Sequence, residues 1–315
     1  MRNFADQLTD KIAELNNPTV MGLDPKLEYI PSYIREKHIT NNPGDPEQAA
    51  ADAILEFNVA LIDAVCDIVP AIKPQFAYYE MYGVKAIEVL KKTIEYAQSK
   101  GMIVIADAKR NDIGTTATAY SEGIIGKTDV EGKEIAMFGA DCVTVNGYLG
   151  VDGIKPFTDV CSRDGKGIFA LVRTSNPSAG DLQDLKLEDG RTVYEAMADK
   201  VAEWGKDLVG DNGFSSVGAV VGATWPEQAV EIRKRMPTNL ILVPGYGAQG
   251  AGPDAAVASF TADGKGSIVN ASRSLMCAWK KREDLAPEEF AKATRDEAID
   301  MREKLNAALK DRKYV

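Results

Sequence analysis

The feature that most constrains this chain is an eightfold alternation of short apolar runs and amphipathic helical stretches. We predict strands over Thr19–Leu23, Ile68–Ile72, Met102–Ala106, Cys142–Val145, Gly167–Val172, Val217–Val221, Leu240–Val243 and Ser267–Asn270. Most of these runs are apolar throughout, as in parallel strands that are buried on both faces. The helical periodicity predicts helices that include Pro46–Val65, Gly83–Lys100, Thr192–Val209, Pro226–Arg235 and Ala286–Lys310. Eight successive β–α units predict an α/β fold, a (β/α)8 TIM barrel, with a doubly wound open sheet as the alternative.

The domain organisation follows from length and from the absence of a linker. The chain has 315 residues, and barrels of about 250 residues routinely form one domain. We therefore predict a single barrel domain over residues 1–315 with inserted loops at the catalytic face. Glu28–Glu47 follows the first predicted strand and Arg173–Arg191 follows the fifth, so both insertions are candidate lids or substrate walls. A further polar segment, Lys127–Lys133, precedes the fourth strand.

Charge and hydropathy exclude several classes of partner. The formal net charge of −10 argues against a nucleic-acid surface, which requires a basic face. It leaves room for a small phosphorylated substrate, since one arginine and a few backbone N–H groups can hold a phosphate. No apolar run approaches the roughly 18 residues of a membrane span, and no apolar segment of a secretory signal follows Met1. We expect a cytoplasmic protein with no nucleic-acid or membrane partner.

The scarcity of histidine limits the possible chemistry. His38 is the single histidine, so a Ser-His-Asp mechanism or a histidine-based metal site would have to use it. The four cysteines, Cys66, Cys142, Cys161 and Cys277, are far apart and form no CxxC pair, which is typical of reduced thiols that serve as small apolar residues. We expect no metal site, and general acid–base work falls to Lys, Asp, Glu or Tyr.

Polar residues stand at the carboxyl end of nearly every predicted strand, the face where barrels build active sites. Asp107 and Lys109 are two residues apart on an extended segment, so both side chains should point the same way. Lys73, one strand over, should project into the same mouth. A buried Lys-Asp-Lys set keeps its charges compensated, and such charges survive burial only when they are partnered. In isolation, the run Asp107–Asp112 is more typical of a solvated mixed-charge loop, but its combination with Lys73 and the other polar strand ends favours an active site.

A glycine-rich turn, Pro244–Gly252, follows the seventh predicted strand, and Ser272-Arg273 follows the eighth. By itself such a turn could be only a tight connection. Its position matches the usual phosphate site of barrels, where N–H groups of loops seven and eight point inward. Arg273 adds a guanidinium suited to bidentate phosphate contact, although a surface ion pair is the plainer alternative.

The assembled motifs closely resemble the orotidine 5′-monophosphate decarboxylase family, specifically its longer bacterial type, over essentially the whole chain. The most specific motif is DxKxxD, present here as Asp107-Ala108-Lys109-Arg110-Asn111-Asp112. The other matching segments are Met21–Pro25, Ala71–Gln75, Val172–Pro177, Pro244–Gly250 and Ser272–Ser274. Ser178 departs from the glycine that shorter relatives often carry there, which leaves the shape of that lid open.

The resemblance implies catalytic roles at four positions. Lys109 matches the lysine that protonates C6 of the pyrimidine after carbon dioxide leaves, and Asp107 matches the aspartate set against the departing carboxylate. Lys73 matches the lysine that holds this network and contacts the ribose. Asp112 matches an aspartate that a second subunit contributes, so the resemblance implies a homodimer.

The resemblance also implies five substrate contacts. Asp24 resembles the ligand of a ribose hydroxyl, and Thr116 a further contact from the partner's loop. Ser175, at the start of the long insertion after the fifth strand, resembles the serine that reads the pyrimidine amide edge. Gln249 and Arg273 resemble the residues that bridge to the phosphate and bind it.

The implied reaction needs no cofactor. Loss of carbon dioxide from C6 leaves a carbanion in the ring plane, and a fixed ammonium stabilises that charge and then supplies the proton. One alternative is a Mg²⁺-dependent relative, a 3-keto-gulonate-phosphate decarboxylase or hexulose-phosphate synthase. Those enzymes share DxKxxD but carry an acidic residue where Lys73 stands. The other alternative is a non-catalytic nucleotide-binding barrel.

Overall fold

The computed structural model of the protein describes residues 1–247 and 250–312. Its strands are β1 (Thr19–Leu23), β2 (Ala71–Pro74), β3 (Ile103–Arg110), β4 (Thr128–Val130), β5 (Lys133–Ile135), β6 (Cys142–Val145), β7 (Gly167–Arg173), β8 (Ser215–Val221), β9 (Asn239–Val243) and β10 (Ser267–Ala271). Its helices are α1 (Phe4–Leu15), α2 (Ser32–Asn41), α3 (Pro46–Val65), α4 (Ala77–Glu80), α5 (Gly83–Ser99), α6 (Gly114–Ile124), α7 (Val151–Asp164), α8 (Gly180–Gln183), α9 (Val193–Gly205), α10 (Pro226–Arg235), α11 (Pro253–Ala256), α12 (Arg273–Met276) and α13 (Phe290–Lys310). Within the described residues, no helix combines the length and apolar character needed to cross a bilayer.

Eight parallel strands close into a barrel in the order β1-β2-β3-β6-β7-β8-β9-β10, with β10 paired to β1. The remaining strands, β4 and β5, form a separate antiparallel hairpin. The closed barrel confirms the predicted (β/α)8 fold and rules out the open doubly wound sheet.

The barrel interior is apolar at its amino-terminal end, where α1 covers it. One side-chain cluster contains inward-facing residues of every barrel strand, namely Val20, Ala71, Ile105, Cys142, Phe169, Val220, Leu240, Leu242 and Ile268. Phe4 and Leu8 of α1 belong to the same cluster, and the Phe4 ring meets that of Phe169 edge-on with centroids 6.2 Å apart. Because α1 covers this end, the cavities that contain the polar strand-end residues lie at the carboxyl ends of the strands.

Several helix starts follow directly from local sequence. Asp45 caps α3 by accepting a hydrogen bond from the Gln48 N–H, and Pro46 supplies the first helical residue, where no N–H is required. Thr192 and Glu195 form a reciprocal capping box at α9. The predicted bounds of α3 and α10 are confirmed.

Other predicted bounds are wrong in instructive ways. The second strand was expected at Ile68–Ile72, but Ile68 and Val69 instead close the turn after α3, and β2 runs from Ala71 to Pro74. The third strand continues past Ala106 to Arg110, so the charged motif begins on the strand. The last helix begins at Phe290 instead of Ala286, after a single 3₁₀ turn. The polar segment at Lys127–Lys133 belongs to the exposed β4–β5 hairpin.

Candidate active site

The barrel mouth is lined by polar side chains that lie one layer of inward-facing residues above the apolar interior. Inward-facing Ala71, Ile105, Cys142 and Ile268 are each followed two residues later by a polar side chain. Those four polar residues are Lys73, Asp107, Thr144 and Asn270. Since successive strand residues alternate faces, the same geometry that fills the core places these groups around the mouth.

Asp107 is the centre of this ring. Its Oδ2 lies 2.5 Å from the Lys73 Nζ and accepts a hydrogen bond from the Gln75 Nε2 at 3.0 Å. Its Oδ1 lies 2.5 Å from the Lys109 Nζ and accepts a hydrogen bond from the Thr144 hydroxyl at 2.9 Å. Both carboxylate oxygens therefore face one ammonium and one neutral donor. The structure brings together the three residues that the sequence grouped, Lys73, Asp107 and Lys109.

Burial and charge act against each other in this array. Although burial opposes ionisation, the charges of Lys73 and Lys109 hold the pKa of Asp107 well below its ordinary value. Burial likewise opposes the charged form of Lys73, yet Asp107 and Asp24 keep the pKa of its ammonium above the ordinary value. The side chain of Lys73 is 6% exposed and that of Lys109 is 44% exposed. Lys73 is thus the enclosed partner, whereas Lys109 reaches the open cavity.

Lys109 reaches this position by a route that strand alternation does not describe. Its φ is +47°, and the pairing of β3 with β6 shifts register between Ala106 and Arg110. The expectation of an extended backbone at Lys109 is therefore wrong, although its side chain does converge on Asp107. The Lys109 N–H donates to the Thr144 hydroxyl at 3.0 Å, which holds the bulge. A left-handed backbone at a non-glycine residue is uncommon and persists only where its surroundings enforce it.

On one side, the ion array borders a cavity of about 500 Å³. Ser175, Asn176 and Gln183 line its outer wall. Gly222 makes room for Ser175, because an added Cβ would lie 2.8 Å from the Ser175 Cβ. The wall belongs to the insertion after β7, so part of the segment expected as a lid or wall does face the site.

Arg173 anchors that wall. Its guanidinium donates to the Gln183 Oε1 at 3.2 Å and lies between the rings of Tyr194 and Trp225. Gln183 also accepts from the Thr174 N–H at 3.0 Å and donates to the Thr174 hydroxyl at 2.7 Å. Arg173 is the last residue of β7 and is buried. Its hydrogen bond to Gln183 therefore ties the insertion to the end of that strand.

A second cavity, of about 350 Å³, shares Lys73 and Asp107 with the first and extends towards Arg273. Asp24 lines it, and burial raises the pKa of that carboxyl against the opposing charge of Lys73. One oxygen, the Asp24 Oδ1, is buried with no hydrogen-bond partner among the described residues. The two cavities together form an elongated site with the charged array at its middle and a guanidinium at one end.

Asp112 and Thr116 lie apart from this site within the chain. Asp112 precedes α6 and its Oδ1 accepts from the Ile113 N–H at 2.7 Å, while Thr116 is exposed on α6. Neither lines either cavity. Gln249 lies outside the described residues.

Sequence reasoning missed Gln75, Thr144, Gln183 and Asn270 as members of the mouth. Gln75, Thr144 and Asn270 could have been found by stepping two residues beyond an inward-facing position of the same strand. Gln183 offered no comparable signal, because its place depends on how the insertion folds back onto Arg173.

Chemically, this arrangement can hold an anionic ligand and stabilise negative charge beside Lys109. An ammonium that is fixed by a carboxylate and partly shielded from water costs little reorganisation when charge develops next to it. Across residues 1–247 and 250–312, no group of three or more His, Cys, Asp or Glu side chains is arranged to hold a metal ion.

Comparison with known proteins agrees with this architecture. Residues 39–286 match the profile of the Orotidine 5'-phosphate decarboxylase / HUMPS family. The chain is 43% identical over 308 residues to orotidine 5'-phosphate decarboxylase of Rhodopirellula baltica, covering 97% of this chain and 99% of the relative. It is 40% identical over 309 residues to the protein of that name from Caldicellulosiruptor saccharolyticus, covering 98% and 100%.

A solved structure, OMP decarboxylase of Leishmania donovani, is 30% identical with a TM-score of 0.69, covering 95% of this chain and 98% of that one. The sequence relatives match over nearly their whole length, and the solved structure shares the barrel described above. The chain therefore belongs to the orotidine 5'-phosphate decarboxylase / HUMPS family.

Proposed function

We propose that this protein decarboxylates orotidine 5′-monophosphate to uridine 5′-monophosphate, the last step of de novo pyrimidine biosynthesis, without a cofactor. The observation that carries the proposal is the array of Lys73, Asp107 and Lys109 at the mouth of a barrel from this family. The named activity of the relatives supports the same substrate.

Lys109 is the proposed proton donor to C6. Its ammonium lines the larger cavity and lies against the Asp107 Oδ1, so it is held in place while it remains open to a ligand. As carbon dioxide leaves, the electron pair of the breaking bond stays on C6, and the adjacent ammonium stabilises that charge. Proton transfer from Lys109 to C6 then completes the product.

Asp107 and Lys73 prepare this step in the proposed mechanism. The depressed pKa of Asp107 keeps a carboxylate beside the position of the substrate's own departing carboxylate. Repulsion between the two carboxylates is relieved as one becomes neutral carbon dioxide, which is a form of ground-state destabilisation. Lys73 offsets the negative charge of Asp107 from the enclosed side and lines the second cavity, where a ribose would lie.

The elongated site suits the remaining parts of the substrate. Ser175, on the wall of the larger cavity, is the proposed contact of the pyrimidine amide edge. Asp24 is the proposed acceptor of a ribose hydroxyl, and its unpartnered oxygen calls for such a donor. Arg273 is the proposed phosphate ligand at the far end, with Gln249 as a bridging residue. Binding energy from the remote phosphate can then assist the chemical step.

We also propose that the protein is a homodimer in which Asp112 and Thr116 complete the partner's site. Neither residue lines a cavity of its own chain. Ile113, next to Asp112, is 55% exposed, and Val151, at the start of α7, which packs against α6, is 54% exposed. Exposed apolar side chains on neighbouring helices are consistent with burial in a protein–protein interface. The single-domain organisation and the cytoplasmic location remain predictions.

The metal-dependent relatives are the poorer alternative because of Lys73. Its ammonium lies 2.5 Å from the Asp107 Oδ2, where it is an unfavourable neighbour for a divalent cation. Activity that disappears in excess EDTA and returns with Mg²⁺ would favour that alternative.

The direct test follows the absorbance of orotidine monophosphate with purified, metal-free protein. Lys109→Ala should remove nearly all turnover while binding of uridine monophosphate is largely kept. Lys155→Ala serves as a matched control, because that exposed lysine forms its ion pair with Asp159 on α7. Wild-type binding of the product without any turnover would favour a non-catalytic nucleotide-binding barrel, and a fully active Lys109→Ala variant would refute its assigned role.

The shared site has its own test. Mixing inactive Lys109→Ala and Asp112→Ala proteins under conditions of subunit exchange should regenerate some intact sites. If exchange is demonstrated and no activity returns, the site lies within one chain.

A further inference from the structure

Asn270 is a buried polar residue of the barrel mouth that neither the family motifs nor the proposed mechanism uses. It lies on β10 two residues after the core residue Ile268, with Val20 of β1 as its Cα partner. Its side chain therefore points into the barrel. Asn270 is 8% exposed, and it lines the smaller cavity together with Asp24 and Arg273.

The orientation of the Asn270 amide follows from its neighbours. An ionised carboxylate only accepts hydrogen bonds, so the Ser272 hydroxyl, which is within hydrogen-bonding reach of Asp24, must donate to it. The serine oxygen is then free to accept, and the Asn270 Nδ2 donates to it at 3.3 Å. This sequence of donors fixes the Asn270 Oδ1 as the atom left over.

That leftover atom is an unpartnered acceptor in a ligand cavity. Among the described residues, both the Asn270 Oδ1 and the Asp24 Oδ1 are buried without a hydrogen-bond partner. Other unpartnered acceptors, such as the Asn239 Oδ1, line neither cavity, but Asp24 and Asn270 both line the smaller one, where a bound ligand can supply the missing donors. Gly22 permits this arrangement, because a Cβ there would lie 1.9 Å from the Ser272 Oγ and 3.1 Å from the Asn270 Oδ1.

We propose that Asn270 is a further substrate-binding residue, whose Oδ1 accepts a hydrogen bond from one ribose hydroxyl while Asp24 accepts from the other. This inference rests on the proposed function. The phosphate oxygens and ring carbonyls of the substrate can only accept. Its remaining donor, the ring N–H, belongs at the Ser175 wall in the other cavity. Only the two ribose hydroxyls can satisfy two acceptors on this side of the array.

The test compares the affinities of uridine monophosphate and of its 2′-deoxy and 3′-deoxy analogues by calorimetric titration. For the wild-type protein, loss of the hydroxyl that Asn270 holds should weaken binding by about tenfold, as expected for a buried hydrogen bond. Asn270→Leu, which keeps the volume and removes the acceptor, should bring that one ratio close to unity and leave the other ratio intact. Asn270→Asp, which keeps an acceptor oxygen, should preserve both ratios.

Asn239→Leu is the matched control. Asn239 is also a buried asparagine with an unpartnered Oδ1, but it lies at the amino-terminal end of β9, away from both cavities. Its substitution should leave both affinity ratios at wild-type values. If Asn270→Leu fails to fold, Asn270→Val is examined in the same way.

Two results would overturn the inference and can be told apart. Wild-type protein that binds and turns over its nucleotide, with both ratios unchanged in folded Asn270→Leu, refutes the role of Asn270 alone. Wild-type protein that neither binds uridine monophosphate nor decarboxylates its precursor refutes the proposed function, and the role of Asn270 falls with it.

Discussion

Replacing Lys73 by methionine tests whether the array at the barrel mouth is organised around an enclosed ion pair. The side chains of Lys73 and Asp107 are 6% and 8% exposed, and removing one partner of a buried pair usually costs about 3–5 kcal/mol. Here Asp107 keeps Lys109, Gln75 and Thr144 as donors. We therefore expect a smaller loss than that range, about 2–3 kcal/mol of unfolding free energy.

Lys109→Met is the internal comparison, because that lysine contacts the same carboxylate with a side chain that is 44% exposed. Solvent screens such a pair, and exposed pairs contribute about 0–1 kcal/mol. Urea unfolding of the two variants at pH 7, followed by circular dichroism, should show the larger loss for Lys73→Met. The double variant Lys73→Met/Asp107→Leu should recover part of that loss, since the Asp107 carboxylate is removed together with its enclosed partner. Equal destabilisation by the two single substitutions would refute the assignment of Lys73 as the enclosed partner.

Three further predictions concern the buried charged residues Asp24, Asp107 and Arg233. Asp24→Asn should raise the free energy of unfolding at pH 7, because burial raises the pKa of that carboxyl and makes its charge costly, and it should weaken binding of uridine monophosphate. A lower free energy of unfolding for the variant, measured by urea unfolding, would contradict this. The folded-state pKa of Asp107 is depressed, so the carboxylate stabilises the fold above the ordinary pKa of 3.8, and this contribution is lost as pH falls through the folded-state pKa. The difference in unfolding free energy between wild type and Asp107→Asn should therefore shrink in acid, and a difference that does not change with pH would contradict this prediction. Burial lowers the pKa of Arg233 to about 10, and its guanidinium donates to four backbone carbonyls near the amino ends of β9 and β10. Arg233→Met should therefore lower the free energy of unfolding by about 3–5 kcal/mol and leave kcat unchanged. A variant of wild-type stability would show that these carbonyls find other donors.

The fold was predictable because most barrel strands carry a continuous apolar run. The predictions failed where an apolar segment is not a strand and where a strand is not apolar. Ile68 and Val69 are buried but close a turn, since burial alone does not distinguish a strand from the residues that lead into it. The β4–β5 hairpin escaped because its residues are largely exposed, and its turn depends on Glu131 and Gly132 at positive φ rather than on any apolar pattern.

The site was only partly predictable, and for a related reason. The inward orientation of Lys73 and Asp107 follows from strand alternation. The position of Lys109 depends on a bulge in β3 that the sequence periodicity does not predict. Gln183 reaches the cavity through an insertion whose path is set by Arg173. Local pattern therefore locates side chains that belong to regular strands, and tertiary contacts decide those carried by bulges and long loops.

The contrast between the two ends of the barrel explains why charge can be concentrated at the mouth. At the amino-terminal end, α1 seals the interior with Phe4 and Leu8, so the lower layer needs no polar groups. One layer higher, every inward position that is not apolar faces a cavity or another member of the array. Asp107 finds four donors there, whereas Asp24 and Asn270 each keep one oxygen unpartnered among the described residues. Unpartnered acceptors also occur elsewhere, as at Asn239, but these two line a cavity that borders the charged array, so a ligand bound there can complete hydrogen bonds that the chain leaves unmade.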